Sequence, residues 1–376
     1  NHCADACYDW IHVRPAVEDW DHTLWDGAEM RHQFMRVPST VKGFGSFVTP
    51  ASTPSNTPSS GELYASASGN SIVAKCSTFP YLIGYGWSSL NKFGSLYTQS
   101  TYPNLGGYGI SNIALSPNSS ALVYTYYNGS PYIVALSWSD PGFGSQYQSP
   151  ATVPYRANGI SFSRQGNAVI TSKDTTPFIW ARSWSDSGGF GAAYADPSTP
   201  LATSFSKITF SQAGTAFAVG LNASPWLKCY SWSSATGIGA EISTSAYTLN
   251  QAITKIAFSP TDQALGLITN TNFAVYTWSA AGTGSRYTNP VSFSTLGLLY
   301  DFSFAPSGSA VAFVHSSSPY ISVYEWSDVT GFGAKYPNPT IAFSYGPTSV
   351  AFSPLEDALF VAGNSSPKFS AYAWAT

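Results

Sequence analysis

Along most of the chain, apolar and polar positions alternate at a period of two, in short runs broken by Gly, Pro, Ser and Asn. One stretch shows the scheme. Gly159-Ile160-Ser161-Phe162-Ser163 leads to a turn at Arg164-Gln165-Gly166 and a small-residue apolar run at Ala168-Val169-Ile170-Thr171. A polar loop then reaches Pro177, and a second alternating run goes from Phe178 to Trp184. Period-two alternation between turn residues marks β-strands, so the unit predicts three strands ending on Trp184-Ser185. Gly189-Phe190-Gly191 and Tyr194 follow and predict a fourth. No unit carries an apolar stripe at 3.6-residue spacing, which excludes helical repeats.

The same unit recurs. Trp87, Trp138, Trp184, Trp232, Trp278, Trp326 and Trp374 lie 51, 46, 48, 46, 48 and 48 residues apart. A four-stranded unit every 48 residues or so has the period of a propeller blade. One such sheet cannot cover its own apolar faces, whereas a ring of blades buries them against one another. The fold class predicted is therefore all-β, a seven-bladed β-propeller over residues 41–376 with a short N-terminal extension, residues 1–40.

The two ends predict the closure. The chain stops at Trp374-Ala375-Thr376 with no glycine turn or fourth strand, while Gly43-Phe44-Gly45-Ser46-Phe47-Val48 has no Trp-Ser before it. The N-terminal strand is expected to complete the last blade, near residues 347–374. The seven tryptophans and Phe44, Phe93, Phe143, Phe190 and Phe332 read as packing between blades, since features present in nearly every blade serve the architecture. The first glycine of each Gly-Phe-Gly turn is expected at positive φ.

Composition sharpens the functional side. Hydrophobic residues make up 44% of the chain, aromatics 16% and charged residues only 9%, so the surface is built from Ser, Thr, Asn, Gln, Tyr and Gly. The net charge is −3 with no basic run, which argues against a nucleic-acid partner. No stretch of about 18 apolar residues suggests a membrane span. The start, Asn1-His2-Cys3, lacks a methionine and suggests a processed or partial chain. Cys3, Cys7, Cys76 and Cys229 are too few for a disulfide framework.

Residues 1–40 hold seven of the 19 acids. Among them Trp10, Trp20, Trp25 and Phe34 are candidate anchor residues, because aromatics of this kind dock into partner subunits. His2, Cys3 and Cys7 are metal-ligand types, but the spacing of the histidines matches no zinc site, and neither metal nor cofactor is expected.

After residue 40 there remain 12 acids and a single histidine, His315. That scarcity, with no phosphate loop, nucleophile elbow or zincin helix, points away from catalysis. Recognition residues are expected in the loops between second and third strands, which vary while the frame stays constant. The candidates are Tyr126, Tyr127, Asn128, Lys173, Asp174, Asn222, Asn270 and Asn272, with Ser316-Ser317-Ser318 beside them. Rings cover apolar faces of a sugar or protein while amides and hydroxyls fix its orientation.

Ser139-Asp140, Ser185-Asp186 and Ser327-Asp328 resemble a degenerate Asp-box, the structural turn of sialidase propellers. The wider pattern, Trp-Ser leading to Gly-Phe-Gly and Tyr, with Phe258-Ser259-Pro260 and Phe352-Ser353-Pro354 before second strands, resembles WD-repeat-like propellers of tailed-phage structural proteins. It departs from true WD repeats, for no Gly-His pair opens the blades, and Trp20-Asp21 and Trp25-Asp26 fall outside the repeat. The resemblance implies a non-enzymatic virion or surface protein. Residues 1–40 would attach it to other virion or surface subunits, and the propeller would bind a host glycan or protein. The alternative is a secreted glycan-binding lectin.

Overall fold

A computed structural model describes residues 42–52, 57–99, 109–140, 142–343 and 346–375. The anchor candidates Trp10, Trp20, Trp25 and Phe34, like His2, Cys3 and Cys7, lie outside the described residues. Seven four-stranded antiparallel sheets form the propeller. The blades span residues 58–98, 112–146, 160–193, 205–242, 253–286, 299–335 and 347–375. In each, the first strand lies innermost and the strands succeed one another outward. The seventh blade is the exception, its outer strand being Gly43–Val48 paired to Phe369–Ala375, so the expected closure is observed. Apart from one 3-10 turn, Val291–Thr295, no helix is present among the described residues, and none long and apolar enough to cross a membrane.

The core is divided rather than central. Seven clusters of buried side chains each combine two neighbouring blades, because a blade is buried on both faces. Second strands are accordingly mostly apolar: Ala216–Leu221 and Ala264–Thr269 are buried at every position. Each repeat tryptophan sits in this wedge. Trp184 meets Phe190 of its own blade edge-on at 5.1 Å and Tyr147 of the preceding blade at 4.9 Å. The same pair of contacts recurs at Trp326 with Phe332 and Tyr287.

Those outer-strand tyrosines explain the first glycine of the turn. Gly237 has φ +82°, and a Cβ there would lie 2.7 Å from the Tyr194 ring of the preceding blade. Tyr97, Tyr147, Tyr287 and Tyr336 close over Gly142, Gly189, Gly331 and Gly43 in the same way. Two junctions differ. Val48 stands in the tyrosine's place at the last junction, and the facing blade carries Lys92, also at positive φ (60°). Ile242 stands there at the fourth junction, where a groove of about 490 Å3 remains beside Trp278.

The aspartates two residues past the tryptophans tie blades together on one face, which we call the turn face. Asp140 accepts hydrogen bonds from the hydroxyls of Ser68 and Ser71 in the preceding blade, and Asp186 accepts from Asn118 at 2.5 Å. Trp184 and Trp326 also donate their indole N–H to Asp186 and Asp328, at 3.1 and 2.7 Å. The buried indole N–H groups of Trp87 and Trp232, where Ser89 and Ser234 replace the aspartate, have no partner among the described residues, and neither has that of Trp138, whose Asp140 is taken up by Ser68 and Ser71. On the opposite face, the loops between second and third strands of six blades turn on a cis Pro. Four of those prolines precede an aromatic at positive φ: Tyr132, Phe178, Trp226 and Tyr320.

Candidate functional site

The loop face gathers some of the expected recognition residues and disperses others. Tyr127 is 39% exposed and donates its hydroxyl to Asp174 at 2.5 Å across the junction of blades two and three. That bond, ahead of desolvation and the carboxylate's charge, holds the Tyr127 hydroxyl above its ordinary pKa. The Arg156 guanidinium lies 5.1 Å from the Tyr127 ring and 5.2 Å from the Tyr155 ring, and 3.8 Å from the Asp174 carboxylate. Tyr155 is 45% exposed, and Tyr132 meets it edge-on at 5.3 Å. The result is a fixed patch of exposed rings around one cation and one acid, a form suited to ring stacking with flanking hydrogen bonds.

Tyr155 and Arg156 were not among the sequence candidates, for they lie in the connection from the fourth strand of blade two to the first of blade three. Their signal was Pro154-Tyr155-Arg156 just before the first strand. Tyr126 is corrected: it is fully buried, packed near Tyr124 and Tyr132, and belongs to the core. Asn128 and Lys173 are half-buried in the same region. Asn222 is exposed but bonded to Ser204 at 3.1 Å, one blade further on. Asn270 and Asn272 line a separate pocket of about 210 Å3 with Asn289 and Phe293, and the Asn272 side-chain amide donates to Oε1 of Gln251 at 3.2 Å.

The central channel carries a second group, missed in the sequence. One residue from the first strand of each blade, or in blade three the residue just before it, forms a ring at equivalent positions: Glu62, Asn112, Gly159, Lys207, Lys255, Asp301 and Ser349. Glu62 is 3% exposed and accepts the Ile113 N–H at 3.1 Å. Asp301, fully buried, accepts the Val350 N–H at 3.0 Å and its Lys255 partner's ammonium at 2.7 Å. Burial pushes the Asp301 carboxyl up from its ordinary pKa, an effect Lys255 opposes. Lys207 donates to Glu62 and to Asn112, each at 3.3 Å. Blades one and four do not adjoin, so this ion pair crosses the bore and gives the channel a floor.

Above the floor the channel widens toward the turn face. The next ring is small at Ala114, Ser161, Thr209, Ala257, Ser303 and Ala351, with Tyr64 its one bulky member, lining both the inner cavity and the mouth. At the mouth stand Ala67, Pro117, Pro260, Pro306 and Pro354, with Arg164 and Gln212 as the only long polar side chains of that ring. An inner cavity of about 300 Å3 opens into a mouth of about 660 Å3.

His315, the remaining candidate for proton chemistry, lies in the second strand of blade six, fully buried, with Nε2 2.9 Å from the Ser322 hydroxyl. Burial, aided by Lys335, pushes its pKa down to about 4. The fold thus keeps the ring neutral where the unfolded chain, with its ordinary pKa near 6.5, takes up a proton. Stability is full above about pH 6.5 and is lost as pH falls toward 4, by on the order of 3 kcal/mol. Urea midpoints from pH 7 to 4 should therefore fall more steeply for the natural chain than for His315→Asn. Equal slopes would contradict the assignment.

Comparison with known proteins bears on the fold. The chain is similar to Kuenenia stuttgartiensis hydrazine synthase, with a TM-score of 0.60 at 11% identity, over 87% of this chain and 98% of that one. At that identity the likeness shows the β-propeller fold alone. No family model and no curated protein matches the chain.

Proposed function

We propose that the propeller is a non-enzymatic head displayed on a virion or other surface. In this reading residues 1–40 attach it to neighbouring subunits, and it grips a host glycan or protein through the loop face of blades two and three. The observation that carries the reading is the patch of Tyr127, Tyr155, Arg156 and Asp174, whose rings stand exposed although aromatic side chains are usually buried. A stacked arginine and a bonded carboxylate hold them in place, so little side-chain entropy is lost on binding. The pairing of the channel acids with lysines and backbone N–H groups supports binding over acid–base chemistry, which needs groups free to exchange protons.

The double variant Tyr127→Ala/Tyr155→Ala tests it. Both rings are largely outside the core, so the thermal midpoint should stay near that of the natural chain. Binding to host cells or to a glycan array should fall by at least about tenfold. Undiminished binding would overturn the assignment of this face. A lectin in free solution is the second reading, favoured by the same rings and hydroxyls; a monomer that binds the array with no affinity for any particle would select it.

A further inference from the structure

Most of the long polar side chains above the channel floor fall on one side. Arg164 and Ser161 come from blade three, Thr209, Gln212 and Lys207 from blade four, and all line the same 300 Å3 cavity with Lys255. The facing wall is mainly Ala257, Pro260, Pro306, Ala351 and Pro354, with the hydroxyls of Ser303 and Tyr64 beside them. Three cations therefore meet two acids, Glu62 and Asp301. Each acid is held by a lysine and by a backbone N–H of the next blade. Arg164 is exposed and has no acidic partner among the described residues.

The surplus charge is that of Arg164, which stands at the mouth of a funnel closed at its blind end by the Lys207–Glu62 pair, in a chain whose net charge is −3. Low-dielectric walls below a cation so placed focus its field into the funnel and raise the local concentration of small anions. The cavity is at the lower limit of small-molecule sites, with room for about one sugar-sized ring. A guanidinium suits a carboxylate or phosphate, and the Thr209 hydroxyl and Gln212 amide offer hydrogen bonds to a hydroxylated body.

We propose that this funnel binds a small hydroxylated organic anion, Arg164 and Lys207 supplying the charge and Thr209 and Gln212 the hydrogen bonds. The site lies at the turn-face end of the channel, away from the loop face, and stands whether or not the loop-face reading holds.

Calorimetric titration of the full chain with D-glucuronate, D-glucose and inorganic phosphate at low salt tests it. Glucuronate should bind at one site per chain, and glucose at least about tenfold more weakly for want of a charge. Arg164→Gln, in an exposed turn, should leave the thermal midpoint unchanged and weaken glucuronate about tenfold. Glu62→Gln, which removes a floor acid, should strengthen it several-fold if the variant folds; if it does not, Arg164→Gln decides alone. Equal binding of glucose and glucuronate, no binding of glucuronate, or indifference to Arg164→Gln would each overturn the proposal. Phosphate binding as tightly as glucuronate would overturn the part played by Thr209 and Gln212.

Discussion

A chain shortened to begin at Thr49 should lose its cooperative fold, while one beginning at Val41 should keep the stability of the full chain. The difference between them is the strand Gly43–Val48, the only fourth strand the seventh blade has. Removing it strips Phe44 from Tyr372 and Trp374, at 5.1 and 5.4 Å, and Phe47 from Tyr372 at 5.0 Å. It also takes Gly43 from under the Tyr336 ring of blade six. Each lost ladder bond costs about 1 kcal/mol and each half-buried ring about 2 kcal/mol, less than the 3–5 of a fully buried phenylalanine. The sum is on the order of 5–10 kcal/mol, comparable with the whole stability of a typical domain. Phe369–Ala375 would become a long apolar edge, a template for pairing between copies. Circular dichroism on heating and sedimentation should show a lower, broader transition and aggregation for the Thr49 chain only. Identical melting of the two would mean that the ring does not depend on its closing strand.

Closure was legible because the repeat leaves a remainder at each end, and a half-unit without a partner has one place to go in a ring. Blade packing was legible for the same reason: a Trp and a Gly-Phe-Gly at fixed offset imply a wedge and a positive-φ turn. The recognition surface was less so. Tyr126 read as loop together with Tyr127 and Asn128, yet second strands are buried on both faces, so burial continues past the end of the strand and the ring stays in the core. Tyr155 and Arg156 escaped notice because the connections between blades do not repeat, leaving nothing to align. The channel ring left a trace that was available: Glu62, Lys207, Asp301 and Ser349 each stand 25 residues before their blade's tryptophan. Lys255 breaks that spacing by two, since the loop before Phe273 is shorter. Charged residues so scarce, falling at one register on innermost strands, place ion pairs in the bore.

Asp301→Ala should be the most damaging single substitution in the channel. The side chain is 0% exposed and holds three donors: the Lys255 ammonium, the Val350 N–H at 3.0 Å and the Phe302 N–H at 2.8 Å. Truncation leaves a lysine only 20% exposed without its counter-charge, and two backbone donors unsatisfied between blades six and seven. Breaking a buried pair from one side typically costs about 3–5 kcal/mol, and each stranded N–H adds about 1 kcal/mol or more. The double variant Asp301→Ala/Lys255→Met should recover part of that loss, because it removes the stranded charge but not the stranded amides. The size of the recovery measures how much of the penalty is electrostatic. Urea unfolding of the two single variants and the double variant gives the cycle. If Asp301→Ala costs less than about 1 kcal/mol, water reaches the channel floor freely and the pair is no better than a surface ion pair. A double variant as unstable as Asp301→Ala alone would instead place the whole penalty on the Val350 and Phe302 amides, making Asp301 a clasp between first strands with Lys255 incidental to stability.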